Sequence, residues 1–349
     1  MGLAISPDGR FALSGGNEPD HSLILWDYET GEVMRRMHGL GGSIFAIAFT
    51  PDGQQALTAM QDGTLVLWEL ATGEQVRVFT GHQGSVNSVA ISGDGRTALS
   101  GALGGAVIYW DVATGQILQR MIGHFEGRGV YDVAFLPGEQ QAVSSSWDGT
   151  MIVWDLASGE QIRRLTGLEG RAGSHFAAGG DWGIHGIALS PDGTLLSAGR
   201  DESLLLWNPA TGQSLRRFSG HTAFVVDVAF APDGRTALSS ARNDALIVWD
   251  VASGAPIRHL PTNNHLNSSF RPTVAISPDG RTALSTEADG TILQWRLAEP
   301  SPEELLDWLA ENRVLRELSC AEREAYGIEP LCVDGIMPAI DWLALVGEA

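Results

Sequence analysis

A nine-residue phrase recurs along the chain, and it constrains the fold more than any other feature of the sequence. It reads SPDGRTALS at 277–285, and close variants stand at 6–14, 92–100 and 231–239. Degraded forms follow at 50–54, 136–140 and 190–194, which makes seven copies in all. Recurrence at a period of about 40–45 residues indicates a repeat architecture rather than one continuous core.

Each phrase is followed by a tryptophan within an apolar run. The seven are Trp26, Trp68, Trp110, Trp154, Trp207, Trp249 and Trp295. One unit, 82–124, reads as four short strands separated by Asp-Gly, Gly-Gly and Thr-Gly turns, whose residues tolerate the backbone angles of tight turns. Seven such units predict an all-β fold, a seven-bladed ring of four-stranded antiparallel blades, numbered here 1 to 7 along the chain.

The composition restricts the kinds of partner. The 349 residues carry a formal net charge of −20, and a surface this acidic repels phosphate, so we expect neither nucleic acid nor a membrane as a partner. No apolar run approaches the roughly 18–20 residues of a membrane span, and the N-terminus lacks the pattern of a signal peptide. All basic residues are arginine and there are only two cysteines, which favours a bacterial, cytoplasmic protein.

The fourth strand of most repeats alternates apolar residues with arginine. The arginines are Arg35, Arg36, Arg77, Arg120, Arg163, Arg164, Arg216, Arg217 and Arg258. The outermost strand of a sheet needs charge to prevent pairing with another edge, so we interpret these arginines as edge charges.

These features together resemble the WD40 family of β-propellers. The Trp-Asp dipeptide of that family stands at Trp26-Asp27, Trp110-Asp111, Trp154-Asp155 and Trp249-Asp250. Its Gly-His pair stands at Gly81-His82, Gly123-His124 and Gly220-His221. The resemblance covers residues 1–297 and implies a propeller that serves as a platform for proteins or peptides.

The resemblance also implies a hydrogen-bonded tetrad within a blade: a histidine, a serine or threonine, a turn aspartate and the strand tryptophan. Blade 4 carries the full set, which is His124, Ser144, Asp148 and Trp154. In other blades the set is eroded, since Gly104 and Asn243 replace the aspartate in blades 3 and 6. Each lost hydrogen bond is worth about 1 kcal/mol, which affects single blades rather than the fold.

Serine, histidine and aspartate in one place also resemble the triad of a hydrolase. The tetrad explains the same trio as a buried structural set. The sequence contains no GxSxG, HExxH, P-loop or cysteine–histidine cluster. We therefore expect no enzyme activity, no catalytic residue, no cofactor and no metal site.

In propellers of this family, partners usually bind the narrow face. That face carries the loops between second and third strands and the loops that lead into each first strand. Aligned positions there, mostly in blades 4 to 6, are aromatic, histidine or arginine: Phe45, Tyr131, Trp147, His185, Arg200, Phe224 and Arg242. Such residues dominate interface hot spots, so we predict a partner-binding surface, and we expect the first-strand positions among them to be exposed. Singly, each could instead pack within the fold, Arg200 for instance by pairing with Asp201.

The step from Trp154 to Trp207 is 53 residues, so the loop before blade 5 holds an insertion within 168–182. It enters the same face and is rich in glycine and alanine. It is either a tolerated insertion or a flap that contacts the partner through Phe176 and Trp182.

The segment 298–349 is predicted to be a small, largely helical extension packed on the propeller. Ser301-Pro302-Glu303-Glu304 has the pattern of a helix start, and 313–318 is a candidate for the closing fourth strand of blade 7. Cys320 and Cys332 lack histidine or cysteine neighbours and are interpreted as buried thiols.

Three functional hypotheses remain at this point. The first is a non-enzymatic scaffold, expected to be monomeric, that binds a protein or peptide on the narrow face. The second is the C-terminal sensor module of a larger bacterial effector with an ATPase or protease ahead of it. The third is an enzyme or a small-molecule binder that uses the central channel of the propeller.

Overall fold

A computed structural model of the chain describes residues 2–16, 21–38, 41–125, 127–166, 183–242, 245–262 and 271–297. Within these ranges, 27 strands form seven antiparallel sheets in which each strand pairs with its neighbours in sequence. Six sheets have four strands, and the described part of the seventh has three. The predicted seven-bladed propeller is confirmed. The extension at 298–349, with its candidate closing strand, and the insertion at 168–182 lie outside the described residues.

The strands have the following bounds. Blade 1 contains β1 (Leu3–Ile5), β2 (Phe11–Gly15), β3 (Leu23–Asp27) and β4 (Val33–Met37). Blade 2 contains β5 (Ile44–Phe49), β6 (Gln55–Met60), β7 (Leu65–Glu69) and β8 (Glu74–Phe79). Blade 3 contains β9 (Val86–Ile91), β10 (Thr97–Ala102), β11 (Ala106–Asp111) and β12 (Ile117–Ile122). Blade 4 contains β13 (Val130–Phe135), β14 (Gln141–Ser146), β15 (Thr150–Asp155) and β16 (Gln161–Thr166).

The remaining blades follow the same plan. Blade 5 contains β17 (Ile184–Leu189), β18 (Leu195–Gly199), β19 (Ser203–Asn208) and β20 (Gln213–Ser219). Blade 6 contains β21 (Val225–Phe230), β22 (Thr236–Ala241), β23 (Leu246–Asp250) and β24 (Pro256–Leu260). Blade 7 contains β25 (Val274–Ile276), β26 (Thr282–Thr286) and β27 (Ile292–Arg296).

The hydrophobic core lies between blades rather than within them. Each of its clusters in the described part of the chain is shared by two neighbouring blades. Between blades 2 and 3, Phe79 meets Trp110 edge to face with ring centroids 5.6 Å apart. Between blades 7 and 1, Leu284 packs with Leu3 and Ala12, so the ring closes on itself.

The recurrent SPDG phrase forms the hairpin between first and second strands. In blade 1 the Ser6 hydroxyl donates to Asp8 at 2.6 Å and accepts the backbone N–H of Phe11 at 2.9 Å, which fixes the turn. Gly9 has a φ of 72°, a conformation that glycine adopts without a steric cost. A Cβ on Gly9 would lie 3.6 Å from the ring of Pro278 in blade 7, so the hairpins of neighbouring blades touch.

The same glycine–proline contact recurs at five further junctions. They are Gly53 with Pro7, Gly95 with Pro51, Gly193 with Pro137, Gly234 with Pro191, and Gly280 with Pro232. The repeated phrase therefore joins blades as well as turning the chain, and this explains why both its proline and its glycine recur.

The junction of blades 3 and 4 departs from this rule. Gly93 stands where the other blades have proline, and Glu139, with a φ of 54°, stands where they have glycine. The backbone N–H of Gly93 donates to Glu139 Oε1 at 2.5 Å. Proline has no N–H, so this bond could not form if position 93 were proline, as in the other blades.

The arginines of the fourth strands link blades, which corrects their interpretation as edge charges alone. In each described fourth strand, the side chain at one equivalent position donates a hydrogen bond to a backbone carbonyl of the next blade. That carbonyl lies in or beside the turn that follows the third strand of that blade. Arg77, for example, donates to the carbonyl of Thr114 at 3.0 Å. A Cβ on the turn residue Gly115, whose φ is 76°, would lie 2.9 Å from Arg77 Cδ. The glycine is therefore required both by the backbone and by the arginine packed on it.

The equivalent bonds at the other described junctions run from Arg35 to Ala71 and Thr72, from Gln119 to Ala157, from Arg163 to Thr211, from Arg216 to Ser253, and from Arg258 to Arg296 and Leu297.

Candidate binding surface at the channel mouth

The first strands of the seven blades surround a central channel that contains a cavity of about 790 Å³. This volume is in the range of small-ligand pockets. Residues from every blade line it. Among the seven predicted binding residues, four contribute to its wall, and these are Phe45, Tyr131, Trp147 and His185.

The expectation that the first-strand positions are exposed was wrong for blades 4 and 5. Tyr131 and His185 are 7 % and 5 % exposed. Their rings meet edge to face at 4.7 Å, and Trp147 covers Tyr131 at 5.8 Å. The strands converge on the channel, so side chains at their N-terminal ends cover one another and face the cavity instead of bulk solvent. Phe45 remains half-buried.

Arg200 lies between two aromatic rings at the edge of this site. Its Cζ atom is 4.5 Å from the ring centroid of Phe224 and 5.4 Å from that of Trp147. A guanidinium held over aromatic faces is an attractive cation–π arrangement. The alternative pairing of Arg200 with Asp201 is not what the structure shows, because Asp201 forms its ion pair with Arg217.

Arg242 belongs to the same group. Its backbone N–H donates to the carbonyl of Phe224 at 2.9 Å, and its positive charge acts on His185. We define the channel-mouth cluster as the six predicted residues of blades 4 to 6 together with one that sequence reasoning missed: Tyr131, Trp147, His185, Arg200, Phe224, Arg242 and Arg271. The structure thus brings the predicted residues of three blades together.

Arg271 is the missed member of the cluster. It lines the cavity from blade 7, and its Cζ atom lies 4.7 Å from the ring centroid of Tyr131. The alignment of repeats contained a signal for it. Arg271 stands where the first strands of blades 4 and 6 have the buried Val130 and Val225, so a charge occupies an otherwise aliphatic position.

Three arginines act on His185 at this mouth, although the whole chain is acidic. Burial, followed by the charges of Arg271, Arg200 and Arg242, lowers the pKa of His185 to about 3. His185 is therefore neutral at physiological pH. Its Nδ1 atom is buried and has no hydrogen-bond partner among the described residues.

Two aspartates line the same cavity and tie first strands together. Asp132 accepts the Ser88 hydroxyl at 2.5 Å from blade 3 and the Ile187 N–H at 2.9 Å from blade 5. Asp227 accepts the Val274 N–H of blade 7 at 2.9 Å. Burial raises the pKa of Asp132 to about 6 and that of Asp227 to about 7, and the charge of Asp132 adds to the second shift. The sequence analysis did not identify either aspartate. The pattern that could have revealed them is Val-x-Asp-Val-Ala-Phe, which occurs in the first strands of blades 4 and 6 alone.

The four tetrad residues of blade 4 lie in one hydrogen-bonded chain away from the cavity lining. His124 Nδ1 is 2.9 Å from Asp148 Oδ2, and His124 Nε2 is 2.8 Å from Ser144 Oγ. Trp154 Nε1 donates to the same Ser144 oxygen at 2.8 Å. Burial opposes ionisation of Asp148, but the hydrogen bonds from His124 and Thr150 bring its pKa below the ordinary value. The Ser144 side chain is fully buried and engaged on both sides.

The tryptophan-to-hydroxyl bond recurs in the other blades. The donors and acceptors are Trp26 and Ser14, Trp68 and Thr58, Trp110 and Ser100, Trp207 and Ser197, Trp249 and Ser239, and Trp295 and Ser285. Blade 3 lacks the aspartate for a steric reason, because a Cβ on Gly104 would lie 2.3 Å from the carbonyl oxygen of Gln83. Asn243 in blade 6 lies outside the described residues.

The repeats match a family model directly. The model described as WD domain, G-beta repeat, matches residues 1–27, 31–69, 73–111, 115–155, 172–208 and 212–250. The chain belongs to the WD40 repeat family. Each matched segment ends one residue after a strand tryptophan, and the structure adds a seventh blade, whose strand tryptophan is Trp295.

Individual relatives of this WD40 chain match it over short stretches. Nuclear distribution protein PAC1 of Arthroderma benhamiae is 52 % identical over 48 residues, which are 14 % of this chain and 10 % of that protein. The PAC1 protein of Trichophyton verrucosum matches to the same extent. Serine-threonine kinase receptor-associated protein of Bos taurus is 33 % identical over 61 residues, 18 % of this chain and 17 % of that protein. Because each stretch is under a fifth of either chain, the similarity concerns the repeat.

The described part of this WD40 chain holds neither a candidate membrane span nor a cluster of metal ligands. No helix there is long and apolar enough to span a membrane. In the same ranges, no three His, Cys, Asp or Glu side chains are grouped as metal ligands. The channel-mouth cluster is thus a surface of aromatic rings, guanidinium groups and one neutral imidazole.

Proposed function

We propose that this chain is a non-enzymatic scaffold that binds a protein or peptide on the face of the channel-mouth cluster. The observation that carries the proposal is the stack of Trp147, Arg200 and Phe224 beside a cavity of about 790 Å³. Tryptophan and arginine are the residue types whose truncation costs most at protein interfaces. The cavity supplies a recess for one anchoring side chain, and the stack supplies the surrounding contact surface.

Membership of the WD40 family supports the proposal, since propellers of this family generally act as protein-interaction platforms. Among the described residues, Ser144, His124 and Asp148 have the connectivity of a hydrolase triad, but the nucleophile is not accessible because Ser144 is fully buried. We further propose a bacterial, cytoplasmic protein, which rests on the absence of lysine and the low cysteine content, and we expect it to be monomeric.

Affinity capture from a lysate of the host cell, with a matched control variant, tests the proposal. The double variant Trp147→Ala/Arg242→Glu removes a ring and reverses a charge in the channel-mouth cluster. The control, Arg235→Glu, makes the same change of charge in the hairpin between β21 and β22. This hairpin lies at the end of the first strand that is away from the channel-mouth cluster. We expect mass spectrometry to find the same specific partner with wild type and Arg235→Glu, and to lose it with the double variant. Retention of that partner by all three proteins would refute the proposal.

A further inference from the structure

Arg271 presents hydrogen-bond donors to the cavity. Its Nη2 group lies 3.3 Å from the Tyr131 hydroxyl, and its guanidinium plane rests on the Tyr131 ring. A guanidinium has five N–H donors in a fixed fork. Among the described residues Tyr131 is its one hydrogen-bond partner, and no carboxylate pairs with it there. The remaining donors are positioned by the stacking and available to a ligand.

His185 is a second polar residue in the wall of the same cavity. It lines the cavity, is 5 % exposed, and its buried Nδ1 atom has no partner among the described residues. A buried polar atom without a partner costs roughly 1–3 kcal/mol, so a ligand group that reaches this nitrogen recovers that cost.

The surrounding charge determines which ligand fits. The charges of three arginines, Arg271, Arg200 and Arg242, act on His185. The two aspartates of the channel do not offset Arg271 by an ion pair, because their oxygens accept hydrogen bonds from the first strands. A cationic side chain would be repelled at the mouth. A carboxylate would receive the free N–H groups of Arg271 in the fork geometry that guanidinium groups favour.

The neighbours of the cavity distinguish a peptide from a free anion. Trp147 forms part of the cavity wall and also carries the Arg200–Phe224 stack. A segment with its acidic side chain in the cavity would therefore place the residues next to it on this stack. A free carboxylate or phosphate ion would leave the stack uncovered.

We infer that the channel mouth takes the carboxylate side chain of an aspartate or glutamate in an extended peptide segment of the partner, bound by Arg271 and His185. This inference rests on the proposed function and adds the chemistry of the ligand to it. The Trp147–Arg200–Phe224 stack then binds the flanking residues, which makes the cavity the specificity-determining part of the surface.

Selection from a phage-displayed library of random linear peptides tests the inference. The baits are wild type, Arg271→Gln and the control Arg235→Gln. We expect wild type and Arg235→Gln to enrich peptides with Asp or Glu at one fixed position. In a synthetic peptide of that sequence, replacing the acid by its amide should weaken binding to wild type by about tenfold and to Arg271→Gln by much less. Thermal unfolding of each variant shows whether it is folded, and Arg271→Lys provides a second variant that keeps the charge and loses the fork.

The outcomes separate the inference from the proposed function. Enriched peptides that depend on Trp147 but share no acidic position would overturn the inference and leave the proposed function standing. Failure of wild type to enrich any peptide that depends on Trp147 would overturn both. Displacement of a selected acidic peptide by inorganic phosphate at low concentration would overturn the choice of a peptide carboxylate in favour of a free-anion site.

Discussion

Arg271 in blade 7 lies against the ring of Tyr131 in blade 4, with its Cζ atom 4.7 Å from the ring centroid. These blades are not neighbours in the ring and share no core cluster. The contact therefore spans the channel, whereas the other hydrogen bonds and ring contacts between blades that involve described residues join adjacent blades. It connects the two sides of the channel mouth and fixes the geometry of the proposed binding surface.

The Arg271–Tyr131 contact should be visible as a coupling energy. In a double-mutant cycle of Arg271→Gln and Tyr131→Leu, which removes the ring, we expect the two changes in the free energy of unfolding to be non-additive by about 0.5–2 kcal/mol, the range of partly buried cation–π pairs. Chemical denaturation of the four proteins measures it. Additivity within about 0.3 kcal/mol would mean that the two side chains do not interact in solution.

Ser144 in blade 4 is predicted to be structural. Ser144→Ala would leave Trp154 Nε1 and His124 Nε2 buried without their partner. Because each unsatisfied buried group costs about 1–3 kcal/mol, we expect a loss of stability of about 2 kcal/mol or more. Ser145→Ala is the matched control, since Ser145 is equally buried on the same strand but makes one bond, to the His185 carbonyl at 3.2 Å. Equal losses for both variants would contradict the tetrad account.

The junction of blades 3 and 4 offers a test of how blades are joined. Gly93→Pro alone should destabilise, because it removes the N–H that donates to Glu139. Glu139→Gly in that background should restore the glycine–proline contact of the other junctions and relieve the positive φ of Glu139. We expect the second change to stabilise the Gly93→Pro protein by about 1 kcal/mol more than it stabilises wild type. Equal effects in the two backgrounds, measured by denaturation, would show that the two positions are not coupled.

The channel aspartates make a prediction about pH. The folded-state pKa of Asp227 is about 7, above its ordinary value of 3.8, so between these pH values the folded protein holds a proton that the unfolded chain has lost. The contribution of Asp227 to stability is therefore greatest at low pH and falls as the pH rises through about 7. Asn at this position does not titrate, and the histidines with lowered pKa are common to both proteins. We expect the stability of Asp227→Asn relative to wild type to increase between about pH 5 and pH 8. Parallel pH profiles of the two proteins would contradict the raised pKa.

The fold could be predicted from the sequence because its signals are local. Strand alternation and the Asp-Gly and Thr-Gly turns are contained within each repeat, and the period then sets the number of blades. Contacts between repeats could not be predicted in this way. The bond from Arg77 to the Thr114 carbonyl depends on how one blade is placed against the next, and no pattern within a single repeat encodes it.

Most residues of the candidate site could be predicted from the sequence, but the burial of their side chains could not. Tyr131 and His185 occupy positions that alignment of the repeats identifies, yet convergence of the strands around the channel buries them. Arg271 was missed because the rule that found the others selected loop positions and the second residue of each first strand. A comparison of charge at every aligned position would have found it, since it is an arginine at an aliphatic site.

The central claim is that the channel-mouth cluster binds the partner, and one titration tests it most directly. A peptide selected on wild type is titrated into wild type, Trp147→Ala, Arg242→Glu and the opposite-rim variant Arg235→Glu, each confirmed to be folded. The account predicts the same Kd for wild type and Arg235→Glu, and a Kd raised by about tenfold or more for Trp147→Ala and Arg242→Glu. Equal affinity of all four proteins, or a loss confined to Arg235→Glu, would contradict it.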